Sequence, residues 1–299
     1  MSFNVKLTTQ NLQLPSTEDN LATLGGRRGI LKEPSAGAYW VVIPAYNEVA
    51  TIRDVVMRTL RQCANIIVVD DASSDGTDRV LTGLNVTVLR NEVNRGKAGS
   101  LVQGFEHALS HGAVGVVTLD ADGQHAPEEI LSFIGRSLED PNVFLIGVRR
   151  DDQRRVSFWR YAANRIADFW IGWAAGRPMD DSQSGFRLYP SRLLREVTVS
   201  HGRDESFVYE SEILIEATRR GFAIENVAVS VSPRSGPSPS HFRPVLDVLR
   251  ITRMVAWKLL RRGMFPRGLF RVVFRRKEVR ASGSPYYNER EVAGQVRKS

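Results

Sequence analysis

Short apolar runs alternate with segments of helical periodicity along most of this 299-residue chain. The runs are bounded by turn-forming residues and are typical of buried strands. The segments between them carry apolar residues three or four positions apart, which indicates helices that pack one face on a sheet. Strands alternating with helices predict an α/β fold: a doubly wound, mostly parallel sheet with helices on both faces. The predicted strands are 39–43, 65–70, 86–89, 116–119 and 143–148.

The loops that follow the strands of such a sheet meet at one edge, where open α/β sheets bind their ligands. Four polar loops are placed this way: PAYNE, DDASSDGT, NRGKAG and DADGQH. The last puts Asp120 and Asp122 directly after a buried strand, and their carboxylates suit a hard cation such as Mg²⁺ or Mn²⁺. An acidic turn that caps a helix is the alternative for an isolated Asp-x-Asp. No G-x-G-x-x-G follows the first strand, which argues against a dinucleotide oxidoreductase.

The composition is ordinary for a globular protein, with 42% hydrophobic and 25% charged residues. The net charge of +8 belongs to residues 261–299, where 11 Lys/Arg face 3 Asp/Glu. A basic tail favours anionic lipid, nucleic acid or simple solvation, and no nucleic-acid-binding motif accompanies it. We therefore expect an anionic membrane surface as a partner, and no nucleic acid.

Location is suggested by several weak signals. The first residues lack the basic-then-apolar pattern of a signal peptide, and no run reaches 18 apolar residues. The predicted helix over 157–175 mixes six aromatic residues with arginines, and the helix over 245–261 has one basic face. Both patterns suit the headgroup level of a membrane, although core packing is the alternative. The expectation is a cytoplasmic protein, peripheral at the inner face of the cell membrane.

The chain divides into four predicted segments. Residues 1–38 are polar and irregular, and 39–232 form the α/β domain. A Pro/Ser-rich loop and an amphipathic basic helix occupy 233–262. Residues 263–299 are predicted to be a basic, disordered tail.

The four loops, taken in order, carry a family resemblance. IPAYNE, VVDDASSDGT, NRGKAGS and TLDADGQH together resemble glycosyltransferase family 2 on a GT-A fold, over roughly residues 41–262. DSQSGFRLYP and SHFRP resemble the polyprenyl- and dolichyl-phosphate mannosyltransferase-like branch. The resemblance implies an inverting, Mg²⁺- or Mn²⁺-dependent transfer of a sugar from a nucleotide-diphosphate-sugar to a lipid-linked or glycan acceptor. Polyprenyl phosphate and glycolipid are the lipid-linked candidates, and cell-envelope biosynthesis is the implied setting.

The resemblance also assigns residues to the donor. Asp120, Asp122 and Gln124 would hold the metal and the donor diphosphate, and Lys97 is an even choice between phosphate contact and solvation. Arg234 lies in the loop 233–244, which would close over the site. The residues implied to bind donor or nucleotide are Pro44, Tyr46, Glu48, Asp71, Lys97, Asp120, Ala121, Asp122, Arg149 and Arg234.

Three acidic residues remain candidates for a catalytic base: Asp181, Glu210 and Glu212. A hydroxyl acceptor would need one of them, whereas a phosphate acceptor is already an anion. Glu210 and Glu212 are two positions apart on a helix, so only one can point directly into the site. Two other functions stay open: a nucleotidyltransferase on the same fold, and a non-catalytic membrane-associated module.

Overall fold

The computed structural model describes residues 38–149, 158–199, 206–231, 244–261 and 263–281. These residues form one seven-stranded sheet, in the order β3-β2-β1-β4-β6-β5-β7. All pairings are parallel except those of β6, which runs antiparallel to β4 and β5. The strands are β1 (Tyr39–Ala45), β2 (Ile66–Asp70), β3 (Thr87–Arg90), β4 (Gly115–Thr118), β5 (Phe144–Arg149), β6 (Arg187–Pro190) and β7 (Ile224–Val229).

Eight helices are found in the described part of the chain, with short 3₁₀ turns at Arg79–Leu81 and Pro127–Glu129. The helices are α1 (Ile52–Leu60), α2 (Gly96–Ser110), α3 (Ile130–Glu139), α4 (Phe158–Ala175), α5 (Ser191–Glu196), α6 (Ser206–Arg219), α7 (Pro244–Arg261) and α8 (Pro266–Ala281).

Successive residues of the central strands point to opposite faces of the sheet, and each face is covered. Val41 and Ile43 of β1 pack in an apolar cluster with α1 and α3. Val42 packs in a second cluster with α2, α4, α6 and α7. Both faces are therefore buried, which explains why the strands are continuous apolar runs. The predicted doubly wound α/β architecture is confirmed.

Helix α2 lies unusually close to the sheet. A Cβ atom at Gly104 would overlap the side chain of Val42 in β1, so glycine is needed at this contact. The close approach carries the first turn of α2, with Lys97, to the edge of the sheet where β1 and β4 end. This edge is the one on which the sequence placed the ligand site.

All five predicted strands are confirmed, but two further strands were missed. β6 reads Arg-Leu-Tyr-Pro, which lacks both an apolar run and a clear alternation. It is nevertheless completely buried between β4 and β5. The arginine is tolerated in this buried strand because its guanidinium donates hydrogen bonds to backbone carbonyls inside the fold.

The tail also differs from its prediction. Disorder was expected from residue 263, whereas Pro266–Ala281 forms helix α8, which packs on α4. Trp170 and Trp173 of α4 stack with ring centroids 5.4 Å apart and pack against the apolar core. The Trp173 Nε1 donates a hydrogen bond to the Met264 carbonyl at 3.1 Å. These two tryptophans are partly buried and pack against the core, as the alternative of core packing expects.

None of the helices in the described ranges combines the length and apolarity that crossing a bilayer would require.

Candidate active site

The loops after β1 and β2 are joined by hydrogen bonds. The Asn47 backbone N–H donates to Ser73 Oγ at 2.9 Å, and that of Glu48 to Thr77 Oγ1 at 2.9 Å. Pro44 lies within β1 and is partly buried, while the Tyr46 side chain is 37% exposed. The Glu48 side chain is buried and accepts a hydrogen bond from Thr51 Oγ1. Pro44, Tyr46 and Glu48, which the resemblance implies to bind donor or nucleotide, thus lie at the end of β1 and in the loop that is joined to the loop after β2.

Asp71 anchors the start of α2. Its Oδ1 accepts hydrogen bonds from Asn91 Nδ2 and the Arg95 backbone N–H, both at 2.8 Å. Its Oδ2 accepts one from the Gly96 backbone N–H at 2.8 Å. The carboxylate therefore serves the unpaired N–H groups and the positive end of α2. Its position at the sheet edge agrees with the sequence, and its observed contacts are structural.

The loop after β4 brings three charged side chains together. Asp120 Oδ1 lies 2.7 Å from the Lys97 ammonium, which also lies 3.3 Å from Glu210 Oε1 on α6. The Glu210 side chain is only 2% exposed. Among the described residues, none donates a hydrogen bond of good geometry to either Glu210 carboxylate oxygen. Lys97 therefore links a carboxylate of the predicted metal site to a buried carboxylate of α6.

Electrostatics in this cluster follow from burial and ion pairing. Burial disfavours the charged forms of both Lys97 and Asp120. The carboxylates of Asp120 and Glu210 outweigh that effect and raise the pKa of Lys97. Lys97, with His125 and Arg187, correspondingly lowers the pKa of Asp120. Both groups are thus charged at neutral pH, and the carboxylate is ready to bind a cation.

Gly185 lies against the Asp120 carboxylate. A Cβ atom at this position would be 2.7 Å from Asp120 Oδ1 and closer still to Oδ2. The Thr118 hydroxyl holds the Gly185 carbonyl with a hydrogen bond of 2.7 Å. Any larger residue at 185 would displace Asp120, so the loop 180–186 and the predicted metal site form a single unit.

The remaining residues of the DADGQH loop form a tight turn. The Gln124 backbone N–H donates to Asp122 Oδ1 at 3.1 Å, and Ala121 is buried. His125 is buried, and its Nδ1 accepts or donates no hydrogen bond within the described part of the chain. Burial lowers the pKa of His125, so the ring is neutral at pH 7. A neutral imidazole beside the carboxylates of Asp120 and Asp122 would not repel a bound cation.

The fit of these residues to a divalent ion is partial. The described residues contain no cluster of three His, Cys, Asp or Glu side chains arranged around one point. Mg²⁺, however, is commonly held by one or two carboxylates together with substrate phosphates. Asp120 and Asp122, with the Gln124 amide, would supply that protein share, leaving the other positions to a diphosphate.

Arg149 and Asp181 form a two-pronged ion pair. Arg149 Nε and Nη2 donate to the two Asp181 oxygens at 2.6 and 2.5 Å. The hydrogen bonds that Arg149 donates to Asp181 raise the pKa of Arg149 despite its burial. Asp181 has a positive φ of 52°, which is uncommon for a residue with a side chain. The pair holds the loop 180–186 to the end of β5.

Two of the proposed bases are separated by the structure. Glu210 faces Lys97, whereas Glu212 pairs with Lys258 of α7 at 2.8 Å. The two-residue offset on α6 accordingly turns only Glu210 towards Asp120. Arg234 and the rest of the loop 233–243 lie outside the described residues, so its predicted closure stays a prediction.

Two buried charged residues were missed by sequence reasoning. Arg187 is completely buried and donates to the carbonyls of Ser182, Ser184 and Glu210. Asp168 of α4 accepts hydrogen bonds from the Ser182 N–H at 3.0 Å and from its hydroxyl at 2.6 Å. Both brace the loop 180–186. In the sequence, the burial of Arg187 was indicated only by its apolar neighbours, Phe186 and Leu188.

Comparison with known proteins begins with the family. The sequence model described as Glycosyl transferase family 2 matches residues 40–198, just over half of the chain.

Two relatives act on lipid phosphates according to their names. A UDP-N-acetylglucosamine–dolichyl-phosphate N-acetylglucosaminyltransferase of Methanococcus voltae is 29% identical over 64% of this chain and 84% of its own length. A polyprenol monophosphomannose synthase of Mycolicibacterium smegmatis is 28% identical over 65% of this chain and 77% of its own length.

A solved structure shares the fold. Glucosyl-3-phosphoglycerate synthase from Mycobacterium tuberculosis, in complex with Mn²⁺, UDP-glucose and phosphoglyceric acid, superposes with a TM-score of 0.58. The match covers 79% of this chain and 85% of that one, at 20% sequence identity. At this identity the likeness supports the GT-A fold and no finer statement.

Proposed function

Since the chain belongs to glycosyltransferase family 2 and is a glycosyltransferase, we propose that it moves a sugar from a nucleoside-diphosphate-sugar to a polyprenyl phosphate. The relatives that act on dolichyl and polyprenyl phosphates support the acceptor class. The nucleotidyltransferase and non-catalytic alternatives receive no support from the family that matches. Cell-envelope biosynthesis is the corresponding setting.

One observation favours a phosphate over a hydroxyl as the attacking group. Each candidate base already has a cationic partner: Asp181 has Arg149, Glu210 has Lys97, and Glu212 has Lys258. A hydroxyl acceptor needs a base that removes its proton, whereas a phosphate is an anion at neutral pH. The arrangement therefore suits an acceptor that needs no base.

The proposed reaction is a single displacement. A phosphate oxygen of the acceptor attacks the anomeric carbon while the bond from that carbon to the donor diphosphate breaks, which inverts the centre. The nucleoside diphosphate leaves with the electron pair. A divalent ion bound by Asp120, Asp122 and Gln124 would offset the charge that develops on the leaving diphosphate. Asp120 and Lys97 orient that end of the donor, and the loop with Tyr46 and Glu48 receives the nucleoside.

A path for the lipid chain lies between α6 and α7. A groove of about 660 Å³ is lined by apolar side chains such as Val208, Met254, Trp257 and Leu260. Arg250 and Arg253 also line it and would attract the phosphate end. Val208 and Glu212 are one turn apart on α6, so the groove lies along the side of α6 that carries Glu212 and not the side that carries Glu210. It offers both an apolar wall and cations, the combination that a polyprenyl phosphate requires.

The exposed side chains of α7 and α8 support membrane association. The side chains of Trp257, Leu260 and Phe270 are each about 60% exposed. No Asp or Glu occurs between positions 249 and 274, where seven Lys/Arg lie. Exposed aromatic and apolar side chains among arginines suit an anionic bilayer surface. The proposed location is the inner face of the cell membrane, where donor and lipid acceptor meet.

The donor half of the proposal is tested by thermal denaturation with UDP, GDP, CDP and dTDP, each with and without Mn²⁺. One diphosphate should raise the melting temperature only with the metal, because a ligand of the native state stabilises it. At 100 times Kd the gain is about 2.7 kcal/mol, roughly 5–10 °C for a chain of this size. Asp122→Asn should abolish the shift, and Asp54→Asn on the exposed surface of α1 should keep it. No shift with any diphosphate contradicts the proposal.

The acceptor half is tested with the sugar nucleotide that this panel identifies. The enzyme should glycosylate a polyprenyl phosphate and leave the matching polyprenol unchanged. If the enzyme instead transfers the sugar to 3-phosphoglycerate and not to the lipid, the proposed lipid acceptor is wrong. The assignment as a glycosyltransferase would still hold.

A further inference from the structure

The Lys97 ammonium forms an ion pair with a carboxylate oxygen that a bound metal ion would need as a ligand. It lies 2.7 Å from Asp120 Oδ1, and Asp120 is one of the two carboxylates assigned to the divalent ion. The Lys97 side chain is 25% exposed, so it is mostly buried but still in contact with solvent. An ammonium and a dication cannot share one oxygen without strong repulsion.

A second acceptor for this ammonium lies next to the first. Glu210 Oε1 is 3.3 Å from Lys97 Nζ, near enough for an ion pair but without hydrogen-bond geometry. Glu210 Oε2 receives no hydrogen bond from any of the described residues. Arg187 lies close by, but the hydrogen bonds of its guanidinium go to the backbone carbonyls of residues 182, 184 and 210. The Glu210 carboxylate is therefore buried with unused capacity to accept.

We propose that Lys97 is the counter-ion that a divalent metal displaces from Asp120, and that Glu210 receives the displaced ammonium. The inference rests on the proposed metal-dependent function. The lysine side chain has rotatable donors on a flexible stem, so a small rotation suffices to move it from one carboxylate to the other. Lys97 is a positioning residue in this scheme, since it acts through Asp120.

The exchange couples metal binding to donor binding. A bare divalent ion must break the pair between Lys97 and Asp120 and gains only the protein ligands, Asp120, Asp122 and Gln124. An ion that arrives with a diphosphate brings an anion that also stabilises the displaced ammonium. Free metal should therefore bind weakly, and the metal–diphosphate complex should bind much more tightly.

The test is the dissociation constant of Mn²⁺, measured by calorimetry on the full chain with and without the diphosphate found above. Lys97→Met should bind free Mn²⁺ at least about tenfold more tightly than the wild type, because a neighbouring positive charge is gone. The benefit that the diphosphate gives to Mn²⁺ binding should shrink in the same variant. Lys258→Met makes the same change at the α6–α7 pair and should stay within about twofold of the wild type.

Unchanged or weaker binding of free Mn²⁺ by Lys97→Met would overturn the proposal, because Lys97 would then merely support Asp120. If Lys97→Met lowers the melting temperature strongly, Lys97→Gln keeps a hydrogen-bond donor without the charge, and the same tightening is expected. A wild type that binds no Mn²⁺ even with a diphosphate instead rejects the proposed function. The two failures are therefore distinguishable.

The role of Glu210 is tested by a double-mutant cycle. Glu210→Gln should weaken Mn²⁺ binding severalfold when Lys97 is present, because the ammonium has lost its alternative partner. In the Lys97→Met background the same change should have a clearly smaller effect. Equal effects in the two backgrounds would contradict Glu210 as the receiver.

Discussion

At the scale of single residues, the buried carboxyl group of Asp168 shows how the loop 180–186 is held. Its Oδ1 accepts both hydrogen bonds from Ser182, and Arg165 approaches Oδ2 only to 3.5 Å. Burial raises the pKa of Asp168 to about 6, against 3.8 for an ordinary aspartate, although the Ser182 hydrogen bonds oppose the shift. An ionised carboxylate is therefore retained at neutral pH at some cost in stability.

The sign of the pH dependence follows from that shift. Between pH 3.8 and about 6 the folded chain binds more protons at Asp168 than the unfolded chain. The contribution of this group to stability therefore falls as the pH rises through that window and is constant above it. Asp168→Asn removes the charge and keeps an acceptor for Ser182. We expect it to raise the free energy of unfolding at pH 7.5 by about 1–3 kcal/mol, and by less at pH 4.5.

Urea denaturation at the two pH values measures this effect. Asp180→Asn makes the same change on a side chain that is 54% exposed in the same loop, and it should alter stability little. Destabilisation of Asp168→Asn by similar amounts at both pH values would show that the ion pair with Arg165 dominates.

At the scale of elements, the start of α2 depends on one carboxylate in the loop that follows β2. Asp71 accepts three hydrogen bonds, two of them from the first N–H groups at the start of α2. Those groups have no acceptor within the helix itself. The direction of α2, and with it the position of Lys97, follows from this anchor.

Asp71→Ala should therefore lower the free energy of unfolding by about 2–3 kcal/mol, because three donors lose a charged acceptor. The expected fall in melting temperature is roughly 4–10 °C. Asp54→Ala, on a side chain that is 72% exposed, serves as the control and should change it little. An unchanged melting temperature combined with weaker nucleotide binding would assign Asp71 to the nucleoside alone.

Elements differed in how well the sequence predicted them. The strands β1, β2 and β4 are apolar runs that end in polar loops, so both their existence and the ligand edge were predictable. β6 was not, because its burial depends on hydrogen bonds from Arg187 to backbone carbonyls of the preceding loop and of α6. The contact between Lys97 and Glu210 likewise joins α2 to α6. These helices are far apart in the sequence, so the local sequence pattern could not predict the contact. For α8, the high density of basic residues concealed the apolar contacts with α4.

At the scale of the whole molecule, α7 and α8 each expose large apolar side chains among basic residues. α7 buries Ile251, Val255 and Leu259 at four-residue spacing and leaves Leu249, Trp257 and Leu260 exposed. On α8, Phe270 and Phe274 are exposed beside each other, with ring centroids 4.3 Å apart. The cations among them give the surface one sign of charge, as expected for binding to anionic lipid.

Sedimentation with lipid vesicles tests this surface. The protein should bind vesicles that contain phosphatidylglycerol, bind pure phosphatidylcholine poorly, and be released by salt. Trp257→Glu and Phe270→Glu, made singly, should each weaken binding by about tenfold or more. Met57→Glu places the same charge on α1, which packs on the opposite face of the sheet, and should have no effect. Equal binding by all three variants would reject this surface as the membrane contact.

The antiparallel strand β6 also bears on how the chain is made. β5 leaves the ribosome soon after β4, yet its strand partners within the described residues, β6 and β7, are encoded later. β4 pairs with β1 on one side and with β6 on the other, so one edge of β4 stays unpaired until roughly seventy further residues have been synthesised. During synthesis the first four strands can assemble, while β5 remains an unpaired apolar segment. We therefore expect the nascent protein to be vulnerable to aggregation until Arg187–Pro190 and then Ile224–Val229 pair with β5.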